Sequence, residues 1–181
     1  MESYKIKFTR LQLEILRLLC IKAGEQLNQQ EISRLLKVSP TAVAKSLPLL
    51  EKNELIQRKK QKNMNLILVS LNRENYKAMQ FKRVENLKML YESNLAEFLE
   101  AELPGATIII FGSYSRGDDT STSDIDLAII GRKEKEMDLN KFEKVFERKI
   151  NLNFYPTLKE VHKDLKENIC NGIVLVGGVQ L

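Results

Sequence analysis

The stretch "IIIFGSYSRGDDTSTSDIDLAII", residues 108–130, limits what this chain can fold into more than any other segment. Its two ends belong to the apolar runs "ATIIIFGS" and "DIDLAIIG", which predict strands buried on both faces. Asp124 and Asp126 stand at the mouth of the second strand. Residues two apart on a strand point to one side, so the acids share a face while Ile125 and Leu127 enter the core. Like charges held this close repel, and burying either is costly unless a cation lies between them. His162 falls in a distant helical segment and neither Cys20 nor Cys170 is nearby, which leaves an all-oxygen site suited to Mg²⁺ or Mn²⁺.

The polar insert supplies the complementary half. Gly112 allows close approach of a ligand to the backbone, Ser113 offers a hydroxyl and an amide, and Arg116 adds positive charge before Gly117 releases the turn. With Ser123 they form the expected nucleotide-binding set. Phosphate oxygens gripped on this side and metal held by Asp124 and Asp126 on the other would give the geometry for displacement at phosphorus. A bare Asp-x-Asp would also suit an Asp-rich turn capped by amides and water. Gly-Ser upstream, at the end of a buried strand, argues for the ligand.

Charge is unevenly distributed. Residues 1–72 carry thirteen Lys and Arg against six Asp and Glu, a net +7, whereas residues 73–181 carry a net −2. Two modules with different partners are expected, and nucleic acid suits the basic one. No apolar run approaches the roughly 18 residues of a membrane span, and "MESYKIKFTR" has no apolar signal core. With two widely spaced cysteines, these features predict a cytoplasmic protein that does not engage membranes.

The front third reads as three helices and a hairpin. Thr9 caps the first, whose apolar stripe is Leu11, Ile15, Leu18 and Leu19, and Gly24 stops it. Asn28 and Glu31 form a capping box for the second, with Ile32, Leu35 and Leu36 inward. Ser39 followed by Pro40 starts the third, which buries Val43, Leu47 and Leu50; Pro48 should kink or shorten its last turn. "LIQRKKQKNMNLILVSLN" predicts a hairpin turning near Lys62–Asn63. This order and spacing resemble a winged helix-turn-helix domain of the bacterial and archaeal transcription-factor kind. The resemblance implies binding of double-stranded DNA. Thr41, Ala42, Lys45 and Ser46 would lie on the exposed face of the recognition helix, and Arg58, Lys59, Lys60 and Lys62 on the wing beside phosphates.

"RENYKAMQFKRVENLKMLYESNLAEFLEAELPG" has helical spacing, with Tyr76, Met79, Phe81, Val84, Leu87, Leu90, Tyr91, Leu95, Phe98 and Leu99 apolar; a break near Ser93–Asn94 is expected. Its first part would pack on the winged helix, with room for a homodimer seam. Farther on, "GRKEKEMDLNKFEKVFERK" reads as a solvated loop and an amphipathic helix with Phe142, Val145 and Phe146 inward, and "NGIVLVGG" as a last strand.

"GSYSRGDDTSTSDIDLAII" strongly resembles the Gly-Ser…Asp-x-Asp signature of the DNA polymerase beta-like nucleotidyltransferase superfamily, in particular its minimal members. The resemblance covers roughly residues 95–181 and implies a small mixed sheet flanked by helices. By position, Gly112 and Ser113 would contact the triphosphate of an NTP, expected to be ATP. Asp124 and Asp126 would bind Mg²⁺ or Mn²⁺ as the catalytic carboxylates. The family normally supplies a third carboxylate from a later strand; in "RKINLNFYP" that place holds Asn151, with Asn153 one pleat on. An amide ligates through oxygen but carries no charge and accepts no proton. Glu147 and Glu160 are the acids that would have to substitute.

The expected architecture is therefore α+β in two domains. A winged helix-turn-helix spans residues 1–72, a helical connector 73–94 and a nucleotidyltransferase-like domain 95–181. Two functions follow from it. One is Mg²⁺-dependent transfer of an NMP from an NTP to a hydroxyl acceptor, which a protein partner could supply. The other is a DNA-binding regulator whose catalytically impaired domain binds nucleotide or a partner.

Overall fold

The computed structural model describes residues 7–61 and 66–179, which divide into compact units at Phe81/Lys82. In the first unit the cap signals fix where each helix starts. Thr9 and Gln12 exchange side-chain and backbone bonds ahead of α1 (Arg10–Ile21). The short strand β1 (Leu27–Asn28) leads into α2 (Gln29–Leu36), where Asn28 and Glu31 repeat that arrangement. Ser39 accepts from the Ala42 amide at the start of α3 (Pro40–Lys52). β2 (Ile56–Lys60) and β3 (Ile67–Leu71) pair antiparallel, and β1 joins β3's other edge. The expected hairpin is present, though its turn, Lys62 included, lies outside the described residues. β1 was not foreseen, because two residues are too few to show a period.

The core of this unit is Ile15, Leu19, Ile32, Val43, Leu47, Leu50, Leu55 and Val69, all fully buried. Leu35 departs from expectation and is 47% exposed, because the inward face of α2 is set by Ile32 and Leu36. α3 is not shortened by Pro48: it runs on to Lys52, with Leu47 and Leu50 anchoring the turn through the core and Pro48 itself exposed.

α4 (Tyr76–Glu92) places Ala78 and Phe81 in the first unit, where Phe8 meets Phe81 edge-on at 6.3 Å. Three residues expected on its apolar face, Tyr76, Val84 and Tyr91, are exposed, while Lys82 and Asn86 are buried. The chain breaks at Ser93–Asn94 as expected, with Asn94 in the left-handed region (φ 59°) before α5 (Leu95–Glu102).

The second unit is built on a mixed four-stranded sheet. β4 (Thr107–Phe111) leads into the short helix α6 (Gly112–Arg116), and β5 (Ile125–Ile130) returns antiparallel to β4. After the loop come α7 (Asn140–Phe146) and β6 (Ile150–Tyr155), parallel to β5. A 3-10 turn (Leu158–Glu160), α8 (Lys163–Cys170) and β7 (Ile173–Val176) complete the order β6-β5-β4-β7. Ile108–Ile110 and Leu127–Ile129 are buried, as continuous apolar strands require. Phe142 and Phe146 are buried against the rings of Phe98 and Tyr114, but Val145 is 53% exposed, on the other side of this seven-residue helix.

Candidate functional site

The sheet register brings the predicted acids to one edge. Asp126 on β5 stands between Phe111 on β4 and Asn151 on β6. Asp124, just before β5, is exposed and Asp126 is half-buried. The Asn151 amide nitrogen lies 3.2 Å from Asp124 Oδ2 and 3.1 Å from Asp126 Oδ1, donating to both carboxylates. The place where the sequence resemblance expects a third acid is thus taken by a hydrogen-bond donor. Asn153 turns elsewhere, to the Leu127 carbonyl at 3.4 Å.

Gly112 closes this corner from the β4 side. Its φ is +72°, and a Cβ there would meet Asp126 Oδ2 at 3.1 Å, so both backbone shape and space call for glycine. Ser113 follows, half-buried, with its carbonyl accepting from the Gly117 and Asp118 amides. Gly117, at φ +83°, ends α6 as the sequence requires. Two expected phosphate ligands have protein partners in this structure. The Arg116 guanidinium donates to Asp118 at 3.1 Å and to Asn168 at 3.2 Å. The Ser123 hydroxyl accepts from the Thr120 amide at 2.9 Å, closing the turn before Asp124.

Hard oxygens from two carboxylates directed at one point suit a single Mg²⁺ or Mn²⁺ of the kind completed by substrate phosphates. Among the described residues no group of three or more His, Cys, Asp or Glu is gathered for metal binding. Glu160 accepts from Thr157 and Glu147 follows α7 as its left-handed cap, so neither completes the pair. The donor set fits one two-carboxylate ion and does not fit a three-carboxylate centre.

On the first unit, Thr41 and Lys45 are exposed on α3 and Ala42 is half-buried. Ser46 corrects the sequence expectation: it is buried, its hydroxyl donating to the Ala42 carbonyl at 2.9 Å and its own carbonyl receiving Gln12. It is therefore not on the exposed face of α3. On the wing, Lys59 and Lys60 are exposed, whereas Arg58 is drawn to Glu51, its Nε donating at 2.8 Å.

The sequence reading missed a buried charge cluster. Asp119, with no exposed surface, is paired with Lys82 and accepts from Arg148 Nη2 at 2.9 Å and Asn86 Nδ2 at 2.7 Å. Lys82 and Asn86 follow Ala78 at four-residue spacing and are buried with it. The second acid of Gly-Asp-Asp was the other available signal.

Residues 92–176 match the family model described as the nucleotidyltransferase domain, and residues 8–63 match that of the MarR family. No curated protein matches the chain. Among solved structures, it is similar to the zinc-responsive MarR family member ZitR of Lactococcus lactis at 30% identity. That match covers 55% of this chain and 64% of the other, with a TM-score of 0.40. ZitR in complex with DNA is 28% identical, with 55% and 63% covered and a TM-score of 0.40. The adhesin competence repressor AdcR of Streptococcus pyogenes is 20% identical, with 56% and 70% covered and a TM-score of 0.43. The chain spans less than two thirds of the length of these ZitR structures. Two family models thus match separate parts of the chain, that of the MarR family over residues 8–63 and that of the nucleotidyltransferase domain over residues 92–176.

Proposed function

We propose that the chain is a DNA-binding regulator whose nucleotidyltransferase domain holds a nucleoside triphosphate, ATP first among them, with Mg²⁺ or Mn²⁺ at Asp124 and Asp126. One observation carries this reading: the Asn151 amide lies within 3.2 Å of both carboxylates, in the third-acid position. Each residue then has a distinct part. Asp124 and Asp126 ligate the cation, Gly112 lets the chain pass close to the phosphates, and Ser113 offers its hydroxyl to them. When bound, the cation neutralises phosphate charge. Asn151 holds the two acids together but takes no proton, and Asp124 and Asp126 are committed to the cation, so no further carboxylate is free to serve an incoming hydroxyl as base. Nucleotide is bound and transfer is weak.

The winged helix supplies the second partner. Lys59 and Lys60 on the wing provide phosphate affinity for duplex DNA, and Thr41 and Lys45 are the side chains of α3 placed to reach base edges. ZitR, to which the chain is similar, has a structure in complex with DNA.

A second reading, transfer of an NMP to a hydroxyl on a partner protein that brings the missing acid, is favoured by Gly112 being shaped to fit Asp126. Incubation with labelled ATP, GTP, CTP and UTP and either cation separates the two. Saturable binding with no label transferred supports the regulator. Label on the protein or an added acceptor at the rate of a working transferase supports the enzyme. Absence of binding contradicts both.

A further inference from the structure

The buried cluster lies in the segment that delivers both acids to the site. Asp119 is five residues before Asp124, in the loop between α6 and β5, and Arg148 is three residues before Asn151, at the entrance to β6. The Asp119–Arg148 pair ties those approaches together beside a backbone bond from the Ile125 amide to the Lys149 carbonyl at 2.8 Å. Lys82 and Asn86 hold Asp119 from α4, and Asn86 also reaches the Tyr114 carbonyl at 2.9 Å, in α6. The Tyr114 ring stands 5.8 Å from both Lys82 Nζ and Arg148 Cζ.

Two buried cations against one buried anion are a poor way to stabilise a core. Burying each ion is costly, and a packed apolar side chain often serves as well. The ring face, the Asn86 oxygen (3.4 Å from Lys82) and the Phe146 carbonyl (3.1 Å from Arg148) also meet the two cations. What an apolar substitute could not supply is direction: the Asp119 carboxylate fixes one loop against two elements at set distances.

We propose that Asp119, held by Arg148 and Lys82, is a positioning residue. Through it, the carboxylates of Asp124 and Asp126 and the amide of Asn151 are set to receive a cation and a triphosphate. The inference rests on the function proposed above. Arg148→Met and Lys82→Met each leave Asp119 with one cation, a balanced pair, so both are expected to fold. Only Arg148→Met cuts the tie between the two approaches to the site.

The test titrates Mn²⁺ in the presence of ATP into the full chain, following free Mn²⁺ by electron paramagnetic resonance, with urea unfolding measured in parallel. Arg148→Met should weaken Mn²⁺ binding by about tenfold or more, the size typical of lost outer-shell support. Lys82→Met should weaken it less, and the loss should not follow the change in unfolding midpoint. Affinity within twofold of the wild type in a folded Arg148→Met chain would overturn the inference. So would affinity losses that track stability in both variants, or failure of both to fold, because the cluster would then be only a folding determinant. A wild type that binds no Mn²⁺ with ATP would instead contradict the proposed function.

Discussion

The two charge clusters of the second unit are unbalanced in opposite directions. Asp124 and Asp126 bring two negative charges to an open corner, with one neutral amide between them. Lys82, Asp119 and Arg148 bring a surplus positive charge into a site with almost no exposed surface. The buried cluster is enclosed by protein groups: amide, carbonyl and ring face. The open pair is served by one donor that reaches both acids. The contrast separates structure from ligand binding: charge enclosed by protein orients the chain, and charge left at the edge is available to a partner.

Removing the buried anion should break the comparison most strongly. Asp119→Ala leaves two buried cations without their counter-ion, and the expected loss is about 3–5 kcal/mol in urea unfolding. The equivalent change at the open corner, Asp124→Asn, should leave the unfolding midpoint where it is. Equal losses would mean that both clusters are structural.

Asn151→Asp sharpens the contrast next. It supplies a third carboxylate beside Asp126, and restoring a group that can accept a proton should raise label transfer from ATP by roughly 100-fold. It should also tighten Mn²⁺ binding. No rise in transfer would show that the site lacks more than this acid.

Gly112→Ala is a smaller effect at the same corner. The left-handed backbone costs an L side chain about 1–2 kcal/mol, and the new Cβ would press on Asp126. Unfolding should register that cost, and Mn²⁺ affinity should fall with it.

Lys59→Ala with Lys60→Ala tests the charge of the first unit. If both lysines meet DNA phosphates, the slope of log affinity against log salt should fall by about 0.9 for each. An unchanged slope would remove the wing from the DNA interface.

Much of this arrangement was legible from local chemistry. Thr9, Asn28 and Ser39 act within three residues of themselves, so their caps could be read directly. Continuous apolar runs located β4 and β5, and the two-residue strand period placed Asp124 and Asp126 together. Asn151 was singled out by the family resemblance, but its position between the acids required the parallel register of β6 on β5. Features that depend on distant partners were not legible. Ser46 has helical spacing suited to a groove, yet its carbonyl is met by Gln12, 34 residues away. Val84 and Tyr91 continue an apolar pattern on α4, while Lys82, which breaks that pattern, is the residue buried by Asp119. A lysine inside a helix carries no local sign of a counter-ion 37 residues on.

Calorimetric titration of ATP with Mn²⁺ into the wild-type chain and Asp126→Asn tests the central claim most directly. The account predicts saturable binding to the wild type and none to the variant at millimolar ligand, with both chains unfolding at the same urea concentration. Equal binding by the two, or none by the wild type, would contradict it.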